Sequence, residues 1–178
     1  MTRAQRKESV LAVNLFTRGF AFTLFEGPLA PVDWGVKDIR GGEKNAKSLE
    51  AAKSLIERLQ PDVLVLEDFS GPRGRRTERI RRLQRLIASH ADGQAIEVRS
   101  YSRKNIRECF KAIGALTRYE IAQAIASQVH AFGHQLPPVR KIWMSEDARM
   151  SLFDAASLVM TFYCRSGEHP DATDELKA

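Results

Sequence analysis

Short apolar runs, separated by turn residues, make up the first quarter of the chain. Residues 10–16 are apolar except for Asn14 and are typical of a buried strand. Residues 19–27 alternate aromatic with small or polar side chains, as a half-exposed strand does, and the tight connection between these two runs predicts a hairpin. A third, more polar strand is predicted over residues 31–40, where a glycine pair follows it.

After residue 42 the apolar spacing changes to that of helices alternating with further strands. Pro61 ends the first of these helices, since proline cannot continue one. The predicted strands cover residues 62–69 and 95–102, and the predicted helices cover residues 43–60, 77–93, 103–113, 117–132 and 145–164. This order predicts an α/β fold. Its mixed five-stranded sheet has three antiparallel strands followed by parallel strands, and helices cover both faces.

The length of 178 residues predicts one domain over residues 1–166, followed by a polar tail over residues 167–178. Two isolated cysteines indicate neither a zinc site nor a disulfide framework and suit a reducing cytoplasm. No apolar run reaches the roughly 18 residues of a membrane span. We therefore expect a cytoplasmic protein without a signal peptide or membrane anchor.

Positive charge is concentrated in one part of the chain. There are 28 basic and 22 acidic residues, a net charge of +6, and residues 73–85 alone contain seven arginines. Such a local field favours a phosphate-rich partner, although a solvated helix face or an anionic membrane surface would also accommodate it. The predicted helix over residues 77–93, which carries several of these arginines, lacks the bulky aromatic face of a membrane anchor. Nucleic acid is therefore the favoured partner.

Acidic residues occur at positions where a sheet and its covering helix could bring them together. Glu67 ends a buried-type strand, and Asp154 lies among apolar neighbours in the last predicted helix. Asp147 lies seven residues before Asp154, two turns away on the same face of that helix. Each also has a structural interpretation: a solvated strand end, the solvent stripe of a helix, and an acid at a helix start. Asn14 at the end of the first strand could likewise close a turn.

The element order and four segments resemble the RuvC-type Holliday-junction resolvases of the ribonuclease H-like superfamily. The segments are VLAVNLFTRGFAF, QPDVLVLEDF, YSRKNIRECFKAIGALTRYEIAQAI and MSLFDAASLVM. In that family an aspartate ends the first strand where this chain has Asn14, and further carboxylates fall on Glu67 and Asp154. The family often has another carboxylate three residues before the last of these, where this chain has Ser151; Asp147 is the predicted substitute.

The resemblance implies a metal-dependent endonuclease that cleaves branched double-stranded DNA as a homodimer. It implies a catalytic set of Asn14, Glu67, Asp147 and Asp154, of which the three acids would bind Mg²⁺, or Mn²⁺ in its place. Asparagine offers a neutral oxygen where the family has a carboxylate bridging two ions, so we expect poor cleavage or none. The alternative is a catalytically inactive nucleic-acid-binding or scaffolding module of the same fold, inactivated naturally or by substitution.

Basic residues on both sides of this set are expected to contact the DNA backbone. Arg107 and Arg118 are assigned by the resemblance. The remaining expected contacts are Arg73, Arg75, Arg76, Arg79, Arg82 and Lys104. Arginine suits this role because its planar fork matches phosphate oxygens.

Overall fold

The computed structural model describes residues 7–70 and 77–166 of the chain, which form a five-stranded sheet covered by helices. The strands are β1 Val10–Phe16, β2 Gly19–Phe25, β3 Pro31–Asp38, β4 Val63–Glu67 and β5 Glu97–Tyr101. Their order is β3-β2-β1-β4-β5. The first three strands pair antiparallel, whereas β1–β4 and β4–β5 pair in parallel. The predicted mixed sheet is confirmed, and its change from antiparallel to parallel pairing lies between β1 and β4.

In the part of the chain that the structure describes, five α-helices and one 3₁₀ helix follow the first hairpins. They are α1 Lys44–Leu59, α2 Glu78–Gly93, α3 Arg103–Lys111, α4 Arg118–Gln128, a 3₁₀ helix His130–Gln135 and α5 Arg149–Ser166. The starts of α3 and α4 are fixed by capping boxes on Ser102 and Thr117, whose side chains accept backbone N–H groups that would otherwise lack partners. In α2 the Thr77 side chain does the same for the amide of Ile80.

Each face of the sheet carries its own apolar core, because side chains along a strand point alternately to the two faces. Leu11 and Val13 of β1 pack with the apolar sides of α1 and α2. Val10 and Ala12, which point the other way, pack with α3, α4 and α5. Helix α5 is buried around most of its circumference. The expected helices on both faces are therefore confirmed.

Two predicted helices differ from the structure by four residues at one end, more than the others do. The predicted helix over residues 117–132 ends at Gln128, and the tighter 3₁₀ turn that follows places Phe132 in the core. The ring of Phe132 makes edge contacts with Phe25, Trp34 and Phe153, and these tertiary contacts outweigh helix continuation.

The last helix begins at Arg149 and not at residue 145. The reason is local: Asp147 Oδ1 accepts the Arg149 backbone N–H at 2.9 Å, so this carboxylate sits at the helix start. Asp147 therefore does not lie two helical turns before Asp154, and the prediction that both share one helix face was wrong.

Three of the arginines expected to bind DNA, Arg73, Arg75 and Arg76, lie outside the described residues, as does the tail over residues 167–178. Within residues 7–70 and 77–166, no helix combines the length and apolar character needed to cross a membrane.

Candidate functional site

The register of β1 and β4 places Asn14 beside Glu67. Val10, Leu11 and Ala12 pair with Val63, Leu64 and Val65. Continuing this register by two residues sets Asn14 opposite Glu67, the last residue of β4. Asn14 itself does not end β1, contrary to the sequence prediction, because β1 continues to Phe16 beside β2. Ala12 and Val65 belong to the core under α5, and side chains two residues apart share a face, so Asn14 and Glu67 face α5 as well.

Arg103 forms hydrogen bonds with both Asp154 of α5 and Glu67 of β4 and so links the two carboxylates. Arg103 Nε donates to Glu67 Oε1 at 2.7 Å, and Arg103 Nη1 donates to Asp154 Oδ1 at 3.3 Å. Both acids are 5% exposed. The structure thus brings together Glu67 and Asp154, which are far apart in sequence, at the end of the sheet where β1 and β4 finish.

A second arginine holds the other side of Asp154. Arg118, the first residue of α4, donates Nε to Asp154 Oδ1 at 3.0 Å and Nη2 to Asp154 Oδ2. The same guanidinium forms an ion pair with Glu146. Paired contacts of this kind are stronger and more directional than a single hydrogen bond. Asp154 is therefore clamped between the first residues of α3 and α4.

Arg103 was missed by the sequence analysis, although both its neighbour Lys104 and the residue Arg107 were selected. A signal was present: Arg103 follows the Ser102 cap directly, so it begins a helix at the carboxyl end of β5, beside the end of β4. Burial alone would lower the pKa of Arg103, but the neighbouring Asp154 and Glu67 carboxylates outweigh this and raise the pKa above its usual value. Arg103 is a permanent internal counter-ion.

Asn14 has an unusual environment for an amide. It is 1% exposed, and its Oδ1 makes no hydrogen bond within the described residues. Leaving a buried polar atom unpaired costs about 1–3 kcal/mol. Asn14 Oδ1 faces the Glu67 and Asp154 carboxylates, where it could accept a hydrogen bond from a bound ligand or coordinate a cation.

No protein-family model matches the chain, and no curated protein sequence does. Solved structures do match it over most of its length. Thermus thermophilus RuvC superposes with a TM-score of 0.64 at 14% identity, over 89% of this chain and 96% of that one. The chain has the fold of the RuvC-type Holliday-junction resolvases.

Two further structures support the same ribonuclease H-like fold. The yeast mitochondrial Holliday junction resolvase Ydc2 gives a TM-score of 0.61 at 13% identity, over 94% of this chain and 82% of that one. T. thermophilus RuvC in complex with a Holliday junction substrate gives 0.63 at 11% identity, over 91% and 96%. The predicted resemblance is confirmed at the level of fold.

Glu67, Asp154 and Asn14 form what we call the carboxylate centre. Their oxygens, as arranged in this structure, do not fit two divalent cations. Such a pair needs several anionic oxygens around an open space. Here Glu67 and Asp154 face the Arg103 guanidinium, and residue 14 provides only a neutral oxygen. Among residues 7–70 and 77–166, no group of three or more Asp, Glu, His or Cys side chains is arranged to hold a metal.

Asp147 is engaged elsewhere. Its Oδ2 accepts from Arg149 Nη2 at 2.7 Å, and this side-chain bond is the main reason that the pKa of Asp147 lies below its usual value. The carboxylate that the resemblance assigned as a metal ligand is therefore occupied by a neighbouring arginine. Glu146, one residue earlier, is the acid that joins the centre, through Arg118.

The predicted DNA-binding residues on α3 and α4 share one surface. Lys104, Arg107 and Arg118 line a cavity of about 550 Å³ between these helices, and Arg103 and Lys111 complete its basic lining. Ile106 and Ile121 are buried in its apolar floor. The cavity directly adjoins the carboxylate centre, since Arg103 and Arg118 belong to both.

The two described arginines of α2 that were expected to bind DNA differ from each other. Arg79 donates to Asn45 Oδ1 at 2.8 Å and to the Thr17 carbonyl at 2.9 Å, so it ties α2 to α1 and to the β1–β2 turn. Arg82 is exposed. Of this pair, Arg82 has the guanidinium better placed to meet a ligand.

Proposed function

We propose that this chain binds branched double-stranded DNA and, with its present residues, cleaves it poorly or not at all. The observation that carries this proposal is the Arg103 guanidinium between Glu67 and Asp154. It replaces the cations of a cleavage centre with a fixed internal charge and leaves a basic surface around it. One solved structure of this fold is that of T. thermophilus RuvC with a Holliday junction substrate, which supports assigning this class of ligand.

The DNA backbone would lie across the starts of α3 and α4. Lys104, Arg107 and Lys111 surround the cavity there, and Glu108 is the one acid among the described residues that lines it. Glu108 is partly neutralised by Arg165 at 3.6 Å. The basic residues of this surface are sufficient for several phosphate contacts. A homodimer would present two such surfaces to the two halves of a four-way junction.

Salt dependence of binding tests this proposal. Affinity for a four-way junction, measured by fluorescence anisotropy across a salt series, should fall steeply with salt. A plot of the logarithm of the binding constant against the logarithm of salt concentration should have a slope whose magnitude decreases by about 0.9 for each phosphate contact removed. We expect Lys104→Ala and Arg107→Ala each to reduce the slope.

Arg58→Ala is the matched control, because Arg58 is an exposed cation on α1, on the opposite face of the sheet. It should leave the slope unchanged. Equal effects of all three substitutions would show that only net charge matters and would contradict the assigned surface.

A second candidate function is a Mg²⁺-dependent endonuclease, which the convergence of Glu67 and Asp154 beside Asn14 favours. It requires Arg103 to leave the carboxylates and Asp147 to leave Arg149, so that the acids can hold Mg²⁺ or Mn²⁺. Cleavage of a four-way junction should then appear in Asn14→Asp and be absent from Asn14→Asp/Asp154→Ala. Absence of cleavage from both variants would leave DNA binding as the function.

A further inference from the structure

A tight turn over residues 141–144 presents two large apolar side chains. The Met144 backbone N–H donates to the Lys141 carbonyl at 3.0 Å and closes the turn. Arg140 Nε donates to the Met144 carbonyl at 2.8 Å, a second hydrogen bond that stabilises the turn. Ile142 and Trp143 are therefore the central residues, at the tip.

These two residues are unusual for a turn. Ile142 is 96% exposed and Trp143 80% exposed, the highest values among the large apolar side chains of the described residues. Central turn positions usually hold small or polar residues, which tolerate solvent and favour the backbone geometry. Val139, also exposed, extends the apolar surface. Two adjacent apolar side chains on a braced tip indicate a contact with another molecule.

Two cations precede this tip in sequence, and two ion pairs connect the residues that follow it to Asp154. Lys141 Nζ lies 5.3 Å from the centroid of the Trp143 ring, and Arg140 is the next residue back along the chain. Glu146, two residues after the turn, pairs with Arg118, which holds Asp154. The flanking cations favour an anionic partner that also offers flat apolar faces, and nucleic acid has both properties.

We propose that Ile142 and Trp143 form a wedge that enters DNA at its branch point, where Trp143 stacks on an unstacked base while Arg140 and Lys141 meet the adjoining phosphates. This inference rests on the proposed DNA binding and adds the element that distinguishes branched from linear DNA. In a continuous duplex each base face is covered by its neighbour, whereas a branch point exposes faces on which an aromatic ring can stack.

Comparing junction and duplex affinities of Trp143→Ala tests the wedge. One aromatic–base stack corresponds to roughly a 5- to 100-fold change in affinity. We expect a loss in this range on a four-way junction and a change below about twofold on a linear duplex of the same arm sequence. Trp143→Phe, which retains an aromatic ring, should recover most of the loss.

Leu29→Ala is the matched control. Leu29 is 54% exposed and lies in the turn between β2 and β3. This turn contacts the C-terminal part of α5, where the Tyr163 hydroxyl accepts the Gly27 N–H. That end is about 13 Å along the helix from Asp154. This variant should bind both DNAs as the unmodified chain does.

A spectroscopic experiment examines the stacking directly. The chain has two tryptophans, so Trp34→Phe leaves Trp143 as the only indole emitter. A junction should quench its emission, and 2-aminopurine at the branch point should change fluorescence with the unmodified tip but not with Trp143→Ala.

The outcomes separate the wedge from DNA binding itself. Junction binding that Trp143→Ala leaves unchanged overturns the wedge while DNA binding stands. Failure of the unmodified chain to bind any DNA overturns both. Light scattering without DNA provides a further check: if Trp143→Ala dissociates a dimer, the tip is a subunit contact and the wedge is overturned.

Discussion

Replacing Arg103 by methionine removes the guanidinium that joins Glu67 to Asp154 but keeps a long side chain in its place. Asp154 retains Arg118 as a partner. Glu67 is 5% exposed, and the ion pair that its carboxylate makes within the described residues is with Arg103. The substitution therefore leaves a buried negative charge at Glu67 without compensation.

The magnitude follows from this burial. Removing one partner of a buried ion pair costs about 3–5 kcal/mol, because the remaining charge is neither hydrated nor paired. The Arg103 side chain is 35% exposed, so water can partly screen the charge left behind. We expect the free energy of unfolding to fall by roughly 2–3 kcal/mol. For a domain of this size the melting temperature should fall by roughly 4–12 °C.

Urea denaturation at pH 7, combined with a double-mutant cycle, measures the effect. Glu67→Gln removes the charge that Arg103→Met leaves unpaired, so the double variant should lose less stability than the sum of the two single variants. Arg85→Met is the control. Its ion pair with Glu78 is exposed on both sides, at 67% and 75%, and should contribute less than about 1 kcal/mol.

Two results would refute this reasoning. One is a loss below about 1 kcal/mol in Arg103→Met, the level of an exposed pair. The other is strict additivity with Glu67→Gln, which would show that the two side chains do not compensate each other. Either would mean that Arg103 is not the counter-ion of the carboxylate centre.

Three further predictions concern the same region. Asn14→Asp adds a carboxylate beside Glu67. In thermal unfolding, Mn²⁺ should therefore raise the melting temperature of this variant more than that of the unmodified chain. Equal increases in the two proteins would show that residue 14 does not belong to the carboxylate centre. Because the Arg149 side chain lowers the folded-state pKa of Asp147, the pair stabilises the fold above the usual aspartate value of about 3.9 and loses this effect as pH falls through the lowered pKa. Asp147→Asn should therefore cost less than about 1 kcal/mol at pH 7 and nothing at the acid end of a urea–pH series, whereas a constant difference would contradict the pairing. Thr117→Ala removes the side-chain cap of α4 and should cost about 1 kcal/mol in urea unfolding, with Ser127→Ala on the same helix as a control without a capping bond.

Much of the fold follows from hydrophobic patterning. A continuous apolar run and an alternating run joined as a hairpin, then buried strands separated by helices, predict a mixed sheet, because each pattern can bury its apolar side chains in only one kind of element. The alternation in β2 was misleading about exposure, since all seven of its residues are buried. Asn14 and Glu67 were also selected from sequence, Asn14 because it interrupts an apolar run and Glu67 because it ends a buried strand. Asp154 was found because an acid among apolar neighbours requires a partner when it is buried.

The tertiary structure alone decided what that partner is. The Ser102 cap marks Arg103 as the start of a helix at the end of β5, but it does not show which carboxylates that side chain meets. Only the docking of α3 against β4 and α5 brings the Arg103 guanidinium to Glu67 and Asp154, whereas Lys104 and Arg107 make no such contact within the described residues. In the same way, Asp147 was predicted inside a helix, but its bond to the Arg149 amide places it before the helix start. Patterning determines which face of an element is buried, because burial sums over many residues. The pairing of individual charges depends on distances of a few ångströms between elements that are remote in sequence, and only the packed fold sets those distances.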